Sequence, residues 1–572
     1  MLKYIHDLIF NQHDMSKIKR ISKNVFNYIY KYIYLLFISY ISGLIVVVSL
    51  LLILPVIDVT ANTKISNSSS GRDTNLKGNN QENLEYLHIL STGQSLSLGV
   101  NSIPALTTIQ PYNNLMMNNG ADQVSPPLVP LTELGSAKEW PNTESPSSGM
   151  ANTLRNLDTQ ERSIAVTLHG HGGTNYLGLK KGTYYYNKGL TQAINVRSYV
   201  QNTLGGNYRP LAVTAIHGEK DYIDGTNDGG VSWAAYPAAL AEWQNDYQND
   251  ISALIGQNIN LPLFINQMNS AWTGQIATAQ LASHKNNPGK VILVGPKYQM
   301  TYASDHLHLT NQDSKYTGEL MAKVMDKVLF KGETWNPLMP TSTIRNGNEV
   351  IISYHIPVGQ LSLDTSSVAN RTNYGFSFTQ TGGNSVSISS IQLIENNTKV
   401  KIILNQIPTG LNQKIRYAWG CNNTWFCGGA STGWYTGGNL RDNDTSVSNS
   451  PGSTNLPLYN WSVAFEENIT SNPPVITSFT IPSVFQQKIP ILSFTATDDQ
   501  AVTGYLLTET STIPSLNDPK WTATVPTVYY FTSEGKKTLY AWARDIDGNI
   551  SQSVSREIKI TNYGGRNPVI IN

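Results

Sequence analysis

Tyr86-Leu87-His88-Ile89-Leu90-Ser91-Thr92-Gly93-Gln94-Ser95 is the stretch on which the fold turns. Its β-rich apolar run ends at a glycine that permits a tight strand-to-loop turn, and a serine follows where the predicted strand stops. Working outward, comparable runs recur at Ser163–Leu168, Leu211–Ile216, Leu261–Ile265 and Lys290–Val294. Helical stretches lie between and after them, including Tyr236–Ile255, Ile276–Lys285 and Gln312–Leu329. Alternation of this kind predicts a doubly wound α/β domain with a parallel sheet over residues 84–332, in which ligands are met at the carboxyl ends of the strands.

The residues that carry chemistry fall at those ends. A serine hydroxyl becomes a useful nucleophile when an imidazole takes its proton and a carboxylate orients that imidazole. Ser95 follows the first strand, and Asp305-His306-Leu307-His308 lies far downstream. An Asp three residues before a His can fold back onto the ring nitrogen that faces away from the serine, so Ser95, His308 and Asp305 form a candidate triad. The oxyanion of acyl transfer needs donors aimed at it. Gly170-His171-Gly172-Gly173-Thr174-Asn175 follows the second strand, with glycines that let backbone N–H groups approach a substrate, and His217-Gly218-Glu219-Lys220-Asp221 follows the third. His169 with His171, and His306 with His308, raise the question of a metal. A catalytic zinc site uses three protein ligands and an open position, and no H-E-x-x-H pairing occurs, so neither metal nor other cofactor is expected.

Taken in order, Gly93-Gln94-Ser95, Gly172-Gly173-Thr174 followed by Lys181-Gly182, His217-Gly218-Glu219-Lys220-Asp221 and Asp305-x-x-His308 resemble the SGNH-hydrolase superfamily. Within it the chain is similar to the sialate O-acetylesterase-like branch, which includes carbohydrate acetylesterases. The resemblance covers about residues 84–330. It implies a three-layer α/β/α fold, Ser95 as nucleophile, and Asp305 with His308 as the dyad. It also implies an oxyanion hole from the Ser95 N–H, a glycine of Gly172-Gly173 and the position of His217. Gln94 and Glu219 are expected as supporting residues, with Glu219 orienting the site rather than acting as an acid. The branch usually carries Gln-Gly-Glu-Ser-Asp where this chain has His217-Gly218-Glu219-Lys220-Asp221.

The rest of the 572 residues sets the context. Lys+Arg 40 against Asp+Glu 39 leaves a net charge of +1, so no global field points to nucleic acid. Residues 34–57 are uncharged and long enough to cross a bilayer, and the basic segment before them, residues 1–33 with Lys17, Lys19, Arg20, Lys23 and Lys31, favours a cytoplasmic N-terminus. The reading is a membrane anchor through an N-terminal helix, with a cleaved signal peptide as its competitor, and either one exports the catalytic part. Residues 58–83 are rich in Asn, Ser, Gly, Lys and Thr and read as a flexible linker. Cys421 and Cys427 are the two cysteines, and a local disulfide is expected of an exported chain.

After about residue 333 the helical pattern stops. Alternating runs such as Glu349–Ile356 and Lys399–Leu404 predict a β-sandwich over 333–470, and evenly spaced short strands predict an Ig-like module over 471–572. Asp545-Ile546-Asp547-Gly548-Asn549 begins like a calcium loop, but Arg556 stands where the twelfth position needs a carboxylate, so a hairpin turn is expected. The function expected is an exported serine esterase that deacetylates an O-acetylated carbohydrate through an acyl-enzyme. One rival is a carbohydrate-binding or adhesion protein with a weakened hydrolase domain, and another keeps the fold but takes a lipase-like or thioester substrate.

Overall fold

The computed structural model describes residues 84–225, 229–269, 273–420, 437–448, 453, 455–498 and 501–561. The segment 34–57 and the pair Cys421 and Cys427 lie outside the described residues. Among the described residues no helix is long and apolar enough to cross a membrane.

Seven strands form the first sheet: β1 Glu85–Gly93, β2 Leu115–Met117, β3 Leu128–Pro130, β4 Arg162–Leu168, β5 Asn207–Ile216, β6 Leu263–Ile265 and β7 Val291–Leu293. Their order is β3-β2-β4-β1-β5-β6-β7, parallel throughout except for the β2–β3 hairpin. The chain therefore builds outward from β1 in both directions. This reversal places the ends of β4, β1 and β5 side by side, which is where an open α/β sheet opens a crevice.

Helices cover both faces. They are α1 Ser95–Leu98, α2 Pro146–Leu157, α3 Tyr176–Leu179, α4 Tyr184–Tyr199, α5 Glu219–Asp224, α6 Tyr236–Ile255, α7 Gln275–Asn286 and α8 Asn311–Met325. Leu87 and Ile89 of β1 pack with Met150 and Leu154 of α2 and Leu320 and Val324 of α8 on one side. Leu90 and Val213 pack with Trp243, Tyr247 and Ile276 on the other. Period-two alternation along β1 thus feeds two separate cores, each excluding water from its own layer. The α2–α8 crossing is unusually close, since a Cβ on Gly318 would stand 2.0 Å from the Pro146 carbonyl oxygen.

The expected strands and helices are present with modest changes at their ends, β1 being longer and β7 shorter than read. The hairpin β2–β3 was not expected, because runs of three residues carry no periodic signal.

Beyond the α/β unit the strands pair antiparallel, except that Thr470–Ser471 and Val484–Phe485 each pair parallel with a neighbour. Val350, Ile352 and Tyr354 alternate inward along Glu349–His355, in a sheet with Met339–Asn346, Lys399–Leu404 and Ile388–Ile394. A second sheet of Phe376–Thr381, Leu411–Tyr417 and Phe465–Asn468 supplies Phe376, Ile415, Tyr417 and Phe465 to the same core. This core is continuous with that of the α/β unit. Gln267 Nε2–H donates to the Ala464 carbonyl at 2.9 Å and its Oε1 accepts from Ala464 N–H at 2.7 Å, while Tyr298 O–H donates to the Ser462 carbonyl at 2.7 Å.

The last module keeps its own core, formed by Phe479, Ile489, Phe494, Leu539 and Ile558 among others. At its base Ser471 Oγ–H bonds Asp547 at 2.6 Å, and Asp545-to-Asn549 closes a hairpin turn with Gly548 at φ +88°.

Candidate active site

Ser95 owes its position to Gly93. That residue has φ +118°, and a Cβ on it would stand 2.3 Å from the Ile216 carbonyl oxygen of β5, so only glycine fits between the two strand ends. The chain then turns sharply. Gln94 N–H donates to Ile216 O at 3.1 Å and Gln94 Oε1 accepts from Lys220 N–H at 3.2 Å, which ties the turn to both ends of the β5–α5 connection. Ser95 begins α1, where the first N–H groups of a helix have no partner within it.

The downstream loop meets this serine. His308 Nε2 lies 2.8 Å from Ser95 Oγ, and His308 Nδ1 lies 2.6 Å from Asp305 Oδ2. A carboxylate accepts only, so the Nδ1 proton points to Asp305 and Nε2 is left to accept the serine proton. Asp305 Oδ1 accepts from the backbone N–H groups of Leu307 and His308, each at 3.0 Å. Burial pushes the Asp305 carboxyl up, but the ring of His308 and those two N–H groups outweigh it and hold the carboxyl below its usual range.

The structure adds one residue that the sequence reading missed. Asn101 Nδ2–H donates to Asp305 Oδ2 at 2.7 Å. No spacing rule marks this residue, since the contact spans 204 positions.

Gly172 runs beside the nucleophile. A Cβ on it would stand 3.9 Å from Ser95 Cβ, and the preceding His171 N–H donates to the Gly93 carbonyl at 3.0 Å. Gly173, at φ +65°, turns away, and a Cβ there would meet nothing within 4 Å. His171 itself stacks on Tyr185 at 4.4 Å between ring centroids and pairs with Glu139 at 3.0 Å. Tyr184, edge-on to Tyr185, is 75% exposed, whereas Tyr176 and Tyr186 are core residues.

His217 departs from expectation. Its ring is 2% exposed, with Nδ1 2.7 Å from Tyr236 Oη and Nε2 3.2 Å from the Thr174 carbonyl oxygen. Because a carbonyl only accepts, Nε2 carries the proton and donates it to Thr174, while Nδ1 takes the Tyr236 hydroxyl proton. No N–H of this ring remains to meet an oxyanion, so the expected donation by His217 is corrected. The physical reason is burial: a ring enclosed by Tyr236 and Trp243 must satisfy both nitrogens locally. What His217 does instead is hold the Gly172–Thr174 loop against β5.

Glu219 begins α5, directly after His217-Gly218. It is buried, with Oε1 3.5 Å from the equally buried Lys297 Nζ, which donates to the Gln267 carbonyl at 3.2 Å. His169 lies under the sheet edge with Nε2 2.7 Å from Tyr247 Oη, and burial pushes its ring down to about 3, assisted by the nearby Lys188 charge. Among the described residues no group of three His, Cys, Asp or Glu is placed to hold a metal ion.

No protein-family model and no curated protein matches the chain. Solved structures do resemble it in part. A carbohydrate acetylesterase from Xanthomonas citri is 13% identical, with a TM-score of 0.42, covering 67% of this chain and 80% of its own. A protein from Arabidopsis thaliana is 17% identical with a TM-score of 0.33, and NanS is 11% identical with a TM-score of 0.32; each covers 43% of this chain and 98% of its own. The chemistry assigned to the site comes from its own geometry.

Proposed function

We propose that the chain is a serine ester hydrolase of the SGNH type that removes acetyl groups from a carbohydrate. The observation that carries this reading is the continuous relay Ser95 Oγ, His308 Nε2, His308 Nδ1 and Asp305 Oδ2, with links of 2.8 and 2.6 Å. Ser95 Oγ attacks the acetyl carbonyl as His308 takes its proton. The oxyanion forms against the backbone N–H groups of Ser95 and Gly172, a hole of two main-chain donors without a side chain from the third motif. Collapse breaks the C–O bond to the sugar, whose oxygen leaves with the proton from His308. Water then attacks the acetyl-serine with His308 again as base, and acetate and Ser95 are released.

A carbohydrate as the alcohol partner is supported by the surface beside Gly172, where Tyr184 and the stacked Tyr185–His171 pair offer amphipathic rings. Attachment to a membrane through residues 34–57, with the site on the far side, completes the proposal.

The test is acetate release from a panel of acetylated glycans and from p-nitrophenyl acetate, with Ser95→Ala beside the parent. The expected result is glycan deacetylation that Ser95→Ala abolishes. Tight glycan binding with no acetate released would instead establish the adhesion reading.

A further inference from the structure

Asp305 is a more elaborately held carboxylate than a catalytic dyad requires. Four donors converge on it: Leu307 N–H and His308 N–H on Oδ1, the His308 ring and Asn101 Nδ2–H on Oδ2. Three of the four come from its own loop. The fourth comes from the nucleophile's segment, six residues after Ser95, and it shares the oxygen that meets His308.

The contact belongs to a seam. Ser102 O–H donates to the Leu309 carbonyl at 2.9 Å, and Asn311 Nδ2–H donates to the Pro104 carbonyl at 2.8 Å. Residues 101–104 are therefore laced to residues 305–311 by side chains at three successive points. Asn101 sits at φ +64°, a left-handed conformation that asparagine tolerates and most side chains do not. Glycine would adopt that backbone more easily but would bring no amide. The amide also lies 3.4 Å from His308 Nδ1, so it packs at the junction of carboxylate and ring.

We infer that Asn101 is a positioning residue of the relay, fixing the plane of the Asp305 carboxylate so that Oδ2 stays aligned with His308 Nδ1. This inference rests on the esterase reading above. A carboxylate on an open edge, 35% exposed, can turn about its Cβ–Cγ bond unless both oxygens are held. The loop's own N–H groups hold Oδ1, and Asn101 holds Oδ2. As a neutral donor it adds no positive charge beside the imidazolium that forms.

Two substitutions test this, both able to adopt the left-handed backbone. Asn101→Gly removes the amide, and Asn101→Asp replaces a donor with a carboxylate 2.7 Å from another one. With p-nitrophenyl acetate, Asn101→Gly is expected to lose about tenfold in kcat with KM within about twofold. Asn101→Asp is expected to lose roughly 100-fold near pH 8, where the two carboxylates repel. That deficit relative to the parent shrinks toward about pH 5, because a carboxylate pair that takes up one proton regains a donor. A loop-filling role would move none of this.

Parent-like kcat in both variants, or equal and pH-independent losses in the two, would overturn the inference. The control separates it from the esterase reading. If Ser95→Ala still hydrolyses the ester, that reading fails; if Ser95→Ala is inactive while both Asn101 variants match the parent, the inference alone fails.

Discussion

The loops that follow β5 and precede α8 each set an imidazole beside a carboxylate, and their fates differ. In the second loop His308 and Asp305 are 2.6 Å apart, with side chains 12% and 35% exposed. In the first, His217 and Asp221 are 3.5 Å apart, 2% and 0% exposed. His308 turns its other nitrogen to Ser95, whereas His217 turns its own to Tyr236. Burial pushes the Asp221 carboxyl up, only partly opposed by His217 and the N–H groups of Tyr176 and Val231, while donors hold Asp305 down. A histidine–carboxylate pair is thus a base only where its far nitrogen faces a nucleophile at an open sheet edge. Enclosed, the same pair is a strut.

The comparison breaks most readily at the rings themselves. His308→Ala should cost at least ~10³-fold in kcat with little change in melting temperature, since few groups depend on that ring for packing. His217→Ala should reverse the pattern, destabilising the fold by about 2–3 kcal/mol because Tyr236 and Thr174 lose buried partners, with a kcat loss below ~100-fold. Initial rates and thermal unfolding of both variants decide it, and losses in kcat of the same size would abolish the distinction.

A smaller contrast is expected at the carboxylates. Asp305→Asn presents a donor where the ring needs an acceptor, which should cost roughly 10³-fold or more, whereas Asp221→Asn should cost less than ~10-fold. Because Asp305 titrates below its usual range, its contribution to stability is present above about pH 4 and is lost only as pH falls through the lowered value. Unfolding free energy of the parent measured against pH should keep this contribution down to about pH 4 and lose it below, and a loss that instead sets in above about pH 5 would contradict a lowered Asp305.

The finest test concerns what supports the open side. Glu144 accepts from the N–H groups of Leu106 and Thr107 at 2.7 and 2.8 Å and from the Thr107 hydroxyl at 2.7 Å, holding the loop that carries Asn101. Burial first, and then the neighbouring Glu133, raise its carboxyl to about 7. A raised acid stabilises the fold below its unfolded value, and that gain is lost as pH rises from about 4.5 toward 7. Glu144→Gln should therefore shrink the melting-temperature difference between about pH 5 and pH 8 by ~2–4 °C. An unchanged difference would remove Glu144 from the pH response of this loop.

Much of this was legible beforehand because it is local. Gly93-Gln94-Ser95 after an apolar run specifies a strand, a tight turn and a presented hydroxyl, and Asp305-x-x-His308 specifies a carboxylate able to fold back on its own histidine. The β-modules were legible through period-two alternation, as in Val350, Ile352 and Tyr354. Asn101 was not, since its partner is distant in sequence and its side chain is common on surfaces. Nor was the shared core between the α/β unit and the first β-module, which joins Gln267 and Tyr298 to residues 461–465 without any periodic signature.

The sequence by itself determined the layers, the order of the elements and the chemical types gathered at the carboxyl ends of β1, β4 and β5, because hydrophobic periodicity and turn chemistry act over a few residues. Only the tertiary structure decided what each polar group faces. A histidine's role depends on which two atoms its nitrogens meet and on whether water reaches them, and the deciding partner is remote in both cases: Ser95 lies 213 positions from His308 and Thr174 lies 43 from His217.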